Sequence, residues 1–152
     1  MTIANVTEGD LPDLLPLVRA YCDFYGSAPT DDALLAMSRA LIADPEREGV
    51  QLLARDESGA AVGYATICWT RSTNSAARVG TMNDLFVAPE ARGRGAADDL
   101  IRACVESCRQ RGAVRVEWQT ALDNHRAQAV YDRVGGRREQ WLDYSLPAGS
   151  PG

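Results

Sequence analysis

The sequence predicts a single α/β (α+β) domain: a mixed, mostly antiparallel sheet with helices on both faces. Three observations predict it. Apolar residues alternate along the chain between helical spacing and short strand-like runs. Three strand-like runs follow one another between residues 50 and 87, which suggests an antiparallel meander. A later strand, helix, strand succession suggests one parallel crossover.

The elements read in order as follows. Thr2 to Val6 is a first short strand. Asp10 is placed to cap a helix with Pro12 in its first turn, and Leu11, Leu14, Leu15, Val18 and Cys22 follow helical spacing. Gly26 ends that helix. Thr30 caps a second one, which carries Leu34, Leu35, Met37, Leu41 and Ile42 and stops before Pro45. Val50 to Arg55 and Ala61 to Arg71 form a hairpin around Glu57-Ser58-Gly59. Arg78 to Val87 is the next strand, stopped by Pro89. Gly95 to Arg111 is the longest helix, with Leu100, Ile101, Cys104, Val105 and Cys108 as its apolar stripe and Gly112 at its end. Val114, Val116 and Trp118 alternate along a strand. Asn124 to Val134 is a short helix closed by Gly135-Gly136, and Trp141 to Leu146 is a last strand. The domain spans residues 1–146. The tail from Pro147 to Gly152 reads as disordered.

Length and composition bound the function. A chain of 152 residues is long enough to bury a core without disulfides. A net charge of −5 argues against coating nucleic acid, which needs a basic footprint. No apolar run approaches the ~20 residues that cross a bilayer, so no membrane partner is expected. The four cysteines include no Cys-x-x-Cys pair, and Cys104 and Cys108 read as buried thiols on one helix face. His125 is the only histidine, so no metal site is expected. Met1-Thr2-Ile3-Ala4 has no signal pattern, and a reducing cytoplasm is the default location.

The segment with most chemical content begins at Leu85-Phe86-Val87, a strand end. Ala88-Pro89-Glu90-Ala91 is a turn, and Arg92-Gly93-Arg94-Gly95-Ala96-Ala97 opens a helix. Unpaired N–H groups and a partial positive charge gather at a helix start. Glycines there remove side chains that would keep a phosphate away. Arg92 and Arg94 add charge, so the segment suits an anion. It lacks the Gly-Lys-Ser/Thr of a Walker loop, and Asp98 stands where a dinucleotide fingerprint has its third glycine. On local physics a flexible turn with surface arginines stays open.

This stretch resembles the central motif of the GNAT superfamily of acyl-CoA N-acyltransferases, Gln/Arg-x-x-Gly-x-Gly/Ala, with Arg92, Gly95 and Ala97 at the defined positions and Leu100 at the apolar site beyond. Thr120, Asp123-Asn124-His125-Arg126-Ala127-Gln128-Ala129-Val130-Tyr131 and Gly135 are similar to the family's Asn-x-x-Ala-x-x-x-Tyr-x-x-x-Gly helix. Trp118-Gln119-Thr120 and Asn124 to Gln128 resemble the subgroup with histone and polyamine acetyltransferases.

The resemblance implies acetyl-CoA as co-substrate and an N-acetyltransferase acting on a primary amine in a ternary complex. It implies a bulge around Asn83 to Phe86, with the pantetheine arm in the gap and the Val87 N–H on the thioester carbonyl. Leu85, Phe86, Val87, Arg92, Gly93, Arg94, Gly95, Ala96, Ala97, Asn124, Ala127 and Tyr131 would then bind the cofactor. Tyr131 matches the family's general acid on sulfur. Asp84 and Glu117 are the candidate bases, and unaided loss of the proton to water stays open. His125 reads as an exposed first-turn residue. Tyr21, Phe24, Tyr25 and Asp31, with Asp32, gather on the expected substrate side, where aromatic and acidic groups suit a cationic amine. They read equally as helix core and charged cap. A small-molecule amine is the leading acceptor. A protein lysine or N-terminus, or a non-catalytic acyl-CoA sensor, is the alternative. Relatives often form homodimers across the C-terminal strand. Asp98 and Asp99 depart from expectation: they favour the helix dipole but would repel a pyrophosphate, so they should point away from it.

Overall fold

The computed structural model describes residues 1–149. Positions 150–152 of the expected tail lie outside the described residues. The strands are β1 (Thr2–Asn5), β2 (Gly49–Arg55), β3 (Ala61–Ser72), β4 (Ala77–Val87) and β5 (Val116–Glu117). The helices are α1 (Leu11–Phe24), α2 (Asp31–Ala43), α3 (Ala96–Gln110) and α4 (His125–Arg133).

The strands lie side by side in sequence order. β1 to β4 form an antiparallel meander, and β5 joins β4 in parallel after the α3 crossover. Successive residues in a strand face opposite sides. On one side, the Tyr64 ring lies 6.3 Å from Tyr21 of α1. On the other, Gly63 and Gly80 let α3 come close: a Cβ on Gly63 would stand 3.4 Å from Leu100, and one on Gly80 only 2.4 Å from Cys108 Sγ. The helices therefore cover both faces, as expected. Leu14, Tyr64, Ile67, Val79, Leu100 and Cys104 are fully buried between the layers. Cys104 and Cys108 are buried free thiols, also as expected.

Several expectations need correction. Trp141 to Leu146 is not a strand among the described residues. β5 holds only two residues, and among the described residues no further strand pairs beyond it to receive the segment. Trp118 leaves the ladder after Glu117 and packs its ring 5.3 Å from Tyr131 instead. Asp10 precedes α1 but makes no side-chain cap there. Its carboxylate accepts from the Thr7 N–H at 2.9 Å and the Thr7 hydroxyl at 2.8 Å, and pairs with Arg55 at 2.9 Å. Two donors already in the preceding turn outcompete the helix start. Thr30 does cap α2, accepting from the Ala33 N–H at 3.1 Å.

Candidate active site

The sheet opens at β4. Asp84 is paired with Thr66, but Met82 with Ile67, so Asn83 is an extra residue bulged out of the ladder. The parallel pairing with β5 covers only Gly80↔Val116 and Thr81↔Glu117. Past Thr81, β4 has β3 on one side and, among the described residues, no strand on the other. Alternate residues of an antiparallel pair share the ladder bonds. Ala88 N–H donates to Val62 at 2.8 Å, so Phe86 is on the bonded side and the N–H groups of Leu85 and Val87 face the open edge.

The open edge leads into the turn before α3. Gly93 (φ 79°) and Gly95 (φ 85°) adopt left-handed backbone, which glycine enters without strain. A Cβ at either position would meet nothing within 4 Å, so the turn faces open space. Gly95 caps α3, and the first helical bond runs from the Asp99 N–H to Gly95 at 3.0 Å. The N–H groups of Ala96, Ala97 and Asp98 precede it, with no intrahelical acceptor behind them. Ala96 is buried, which anchors the turn from below. Arg92 Nε donates to the Val87 carbonyl at 3.0 Å, and its guanidinium lies 6.0 Å from the Phe86 ring. This arginine therefore ties the turn to the strand end. Arg94 is exposed and borders a cleft with Met1, Asp56, Glu57 and Ser58; its charge helps lower the Asp56 carboxyl.

α4 reaches the start of α3 through Arg133, which pairs with Asp98. The Asn124 side chain accepts from the Ala127 N–H at 3.2 Å, so Asn124 is the helix cap. Tyr131 packs on Trp118, and burial pushes its phenol above the usual value, helped by nearby Tyr25. His125 is exposed at the first position, as expected. Asp98 is held by Arg133 of α4 at 2.5 Å, and Asp99 by Arg102 at 3.3 Å.

The other face of β4 carries Asp84. Hydroxyls of Thr66, Tyr21 and Tyr64 surround its half-buried carboxyl. Burial pushes the carboxyl above the usual carboxylate range, against the pull of those hydroxyls. No ion pair among the described residues includes Asp84. The Tyr21 hydroxyl donates to the carbonyl of bulged Asn83 at 3.2 Å, joining α1 to the bulge. Tyr25 stacks at 4.8 Å on Tyr21, and exposed Phe24 meets Tyr25 edge-on at 5.0 Å. Asp31 is instead paired with Arg19, away from this group, and Asp32 is exposed. Glu117 is half exposed and paired with Arg115 at 3.5 Å.

A model of the Acetyltransferase (GNAT) family matches residues 14–136. The chain belongs to the GNAT acetyltransferase family. Like it in sequence is the uncharacterized N-acetyltransferase YhfO of Bacillus subtilis (strain 168), 32% identical over 135 residues that cover 89% of each chain. A solved structure of a probable acetyltransferase superposes with a TM-score of 0.84 at 32% identity, covering 99% of both chains. AAC(6')-Iy, in complex with the bisubstrate analog CoA-S-monomethyl-acetylneamine, shares the fold at a TM-score of 0.80 and 22% identity, covering 97% of this chain and 98% of that one. The GNAT chain is an N-acetyltransferase. Its matched region ends at Gly136, short of the segment whose expected strand is missing.

Several residues of this GNAT site escape a reading of the sequence. Thr66 and Tyr64 of β3 line the Asp84 carboxyl, and Gln51 of β2 donates to Thr66; their only sequence trace is a polar residue interrupting each of two apolar strands. Arg133 holds Asp98 across 35 residues, and no local pattern announces such a pair. Among the described residues no group of three His, Cys, Asp or Glu could hold a metal, and no helix is long and apolar enough to cross a membrane.

Proposed function

We propose that this chain transfers the acetyl group of acetyl-CoA to the primary amine of a small molecule by direct attack, with donor and acceptor bound together. One observation carries the proposal: the open edge of β4 past Thr81 runs toward the glycine-capped start of α3. An edge with free N–H groups suits an extended amide-bearing arm, and the helix start suits a pyrophosphate. Leu85, Phe86 and Val87 would hold the arm, with Asn124 and Ala127 opposite. Arg92 to Ala97 would hold the phosphates. Bound acetyl-CoA supplies an acyl group activated on sulfur.

The chain's own groups do the rest. The Val87 N–H donates to the thioester carbonyl oxygen as negative charge develops there. Asp84 takes the proton that the attacking amine must lose, directly or through water. Its half-buried, raised carboxyl is matched to that task near neutral pH better than an ordinary surface carboxylate. Tyr131, held protonated by burial, gives its proton to sulfur as the C–S bond breaks and the N–C bond forms. The amine proton ends on Asp84 and the phenolic proton on sulfur; exchange with water resets both. Glu117 is the second candidate base, but Arg115 neutralises it and it is half exposed.

Tyr21, Phe24 and Tyr25 above Asp84 form an aromatic and acidic entrance, which favours a small cationic amine. The AAC(6')-Iy complex, whose analog carries an acetylneamine, supports a small acceptor. The exposed run Trp141 (80%), Leu142 (81%), Tyr144 (90%) and Leu146 (93%) supports a homodimer that covers it. Four free thiols fit a cytoplasmic location.

Thiol release from acetyl-CoA, measured over a panel of small amines and lysine peptides, tests the proposal. Turnover with a small amine is expected. Turnover with peptides alone would remove the small-molecule acceptor, and no release with any amine would remove the transferase role.

A further inference from the structure

A row of polar side chains crosses three strands beneath α1. Gln51 is the register partner of Thr66, and Thr66 of Asp84. Gln51 Nε2 donates to Thr66 Oγ1 at 3.1 Å. With that hydroxyl oxygen accepting, its proton is free to point the other way, toward Asp84. The row has one direction: amide, hydroxyl, carboxyl. Thr66 is fully buried and Gln51 is 4% exposed. Tyr64, two residues back on the same face of β3, is also fully buried, and its Oη has no hydrogen-bond partner. A core needs none of this: valine at 66 and phenylalanine at 64 would pack without burying polar atoms. The polar groups converge instead on one carboxyl.

We infer that Thr66, backed by Gln51, is a positioning residue for acetyl transfer, holding the Asp84 carboxyl in the one orientation from which it takes the acceptor's proton, and that Tyr64 stands by as a further donor to it. This rests on Asp84 being the proton acceptor of the proposed reaction. The buried Tyr64 hydroxyl, unpartnered at rest, is a spare donor for the carboxyl as it moves to meet the amine.

The groups around Asp84 come from every neighbouring element. α1 brings Tyr21, with Cys22 and Tyr25 beside it. β3 brings Tyr64 and Cys68, and Glu48 before β2 faces Cys68 from the far side. No cation stands among the direct contacts, so the hydroxyl of Thr66 is what favours the charged carboxylate. Burial pulls the other way. Loss of one hydroxyl must push the carboxyl further up and move the acid limb of the rate to higher pH.

The test is a titration of the Asp84 carboxyl by carbon-13 NMR in the free full-length protein, which needs no acceptor. It is paired with the pH profile of kcat/KM for acetyl-CoA and the fastest amine of the panel. Thr66→Val should raise both midpoints by about one pH unit, the worth of one hydrogen bond to a charged group. Thr66→Ser should restore them. Tyr64→Phe should raise the rate midpoint with Tm at or above that of the parent, because its hydroxyl makes no bond in the resting fold. It also decides the matter if Thr66→Val does not fold. Unshifted midpoints in these variants, with the acid limb lost in Asp84→Asn, would overturn the positioning role and leave Asp84 as the base. An acid limb unchanged in Asp84→Asn would overturn Asp84 as base, and this inference with it.

Discussion

Arg133 of α4 grips Asp98 of α3 at two points, Nη2 to Oδ1 at 2.5 Å and Nε to Oδ2 at 3.2 Å. The pair joins the helix that carries Tyr131 to the first turn of the helix that faces the expected phosphates. It also lowers the Asp98 carboxyl from its usual value through the Arg133 hydrogen bonds. Its distance from solvent differs at the two ends: the Asp98 side chain is 16% exposed and that of Arg133 is 58%.

Freeing Asp98 should therefore harm the anion site. Arg133→Ala should weaken acetyl-CoA binding by about threefold to tenfold, the scale of one charge near a helix start, and more at low salt. Asp98→Asn in the same chain should recover most of the loss. Calorimetric titration at two salt concentrations measures both, and an unchanged affinity in Arg133→Ala would show that Asp98 does not reach the site.

Tyr131→Phe should lower kcat by about a hundredfold to ten-thousandfold, the usual span for one acid or base. The affinity for acetyl-CoA should stay within about twofold, since the ring still packs on Trp118. Steady-state rates and a binding titration separate the two. A full kcat in the variant would remove Tyr131 from the chemistry.

Gly80 reports on the packing of α3 against β4. A Cβ there would stand 2.4 Å from Cys108 Sγ and 3.0 Å from the Ile67 side chain. Gly80→Ala should cost about 1–3 kcal/mol from overpacking. Cys108→Ala in the same chain should relieve part of that cost, because it removes the nearest atom. Urea unfolding of the two variants measures the difference, and equal stability would mean that the helix moves away freely.

Much of this architecture was legible in the sequence, for identifiable reasons. The meander from β2 to β4 followed from apolar runs and the turn at Glu57 to Gly59, which are local signals. Thr30 was legible as a cap because a side-chain oxygen three residues before a free N–H is a local arrangement. The bulge at Asn83 came only from the family resemblance, since the extra residue shows when two strands are laid in register. Thr66 and Gln51 were illegible as site residues because their meaning depends on which strand lies beside which. Asp10 was misplaced because Thr7 and Arg55 compete for it, and Arg55 is 45 residues away. Trp141 to Leu146 alternates like a strand, yet alternation states only what a strand would bury, and no partner strand exists among the described residues. Asp31 was grouped with the aromatic residues by sequence proximity, and Arg19 draws it elsewhere.

The most direct test of the donor site is a thermal melt with and without acetyl-CoA, run on the parent chain and on Gly95→Glu. The parent should gain about 2–3 kcal/mol of stability at a hundredfold excess over Kd, with a matching rise in Tm. In Gly95→Glu, a side chain and a negative charge at the left-handed cap of α3 should abolish that rise. An equal rise in both proteins would contradict the assignment of the Arg92 to Ala97 turn as the place where the phosphates bind.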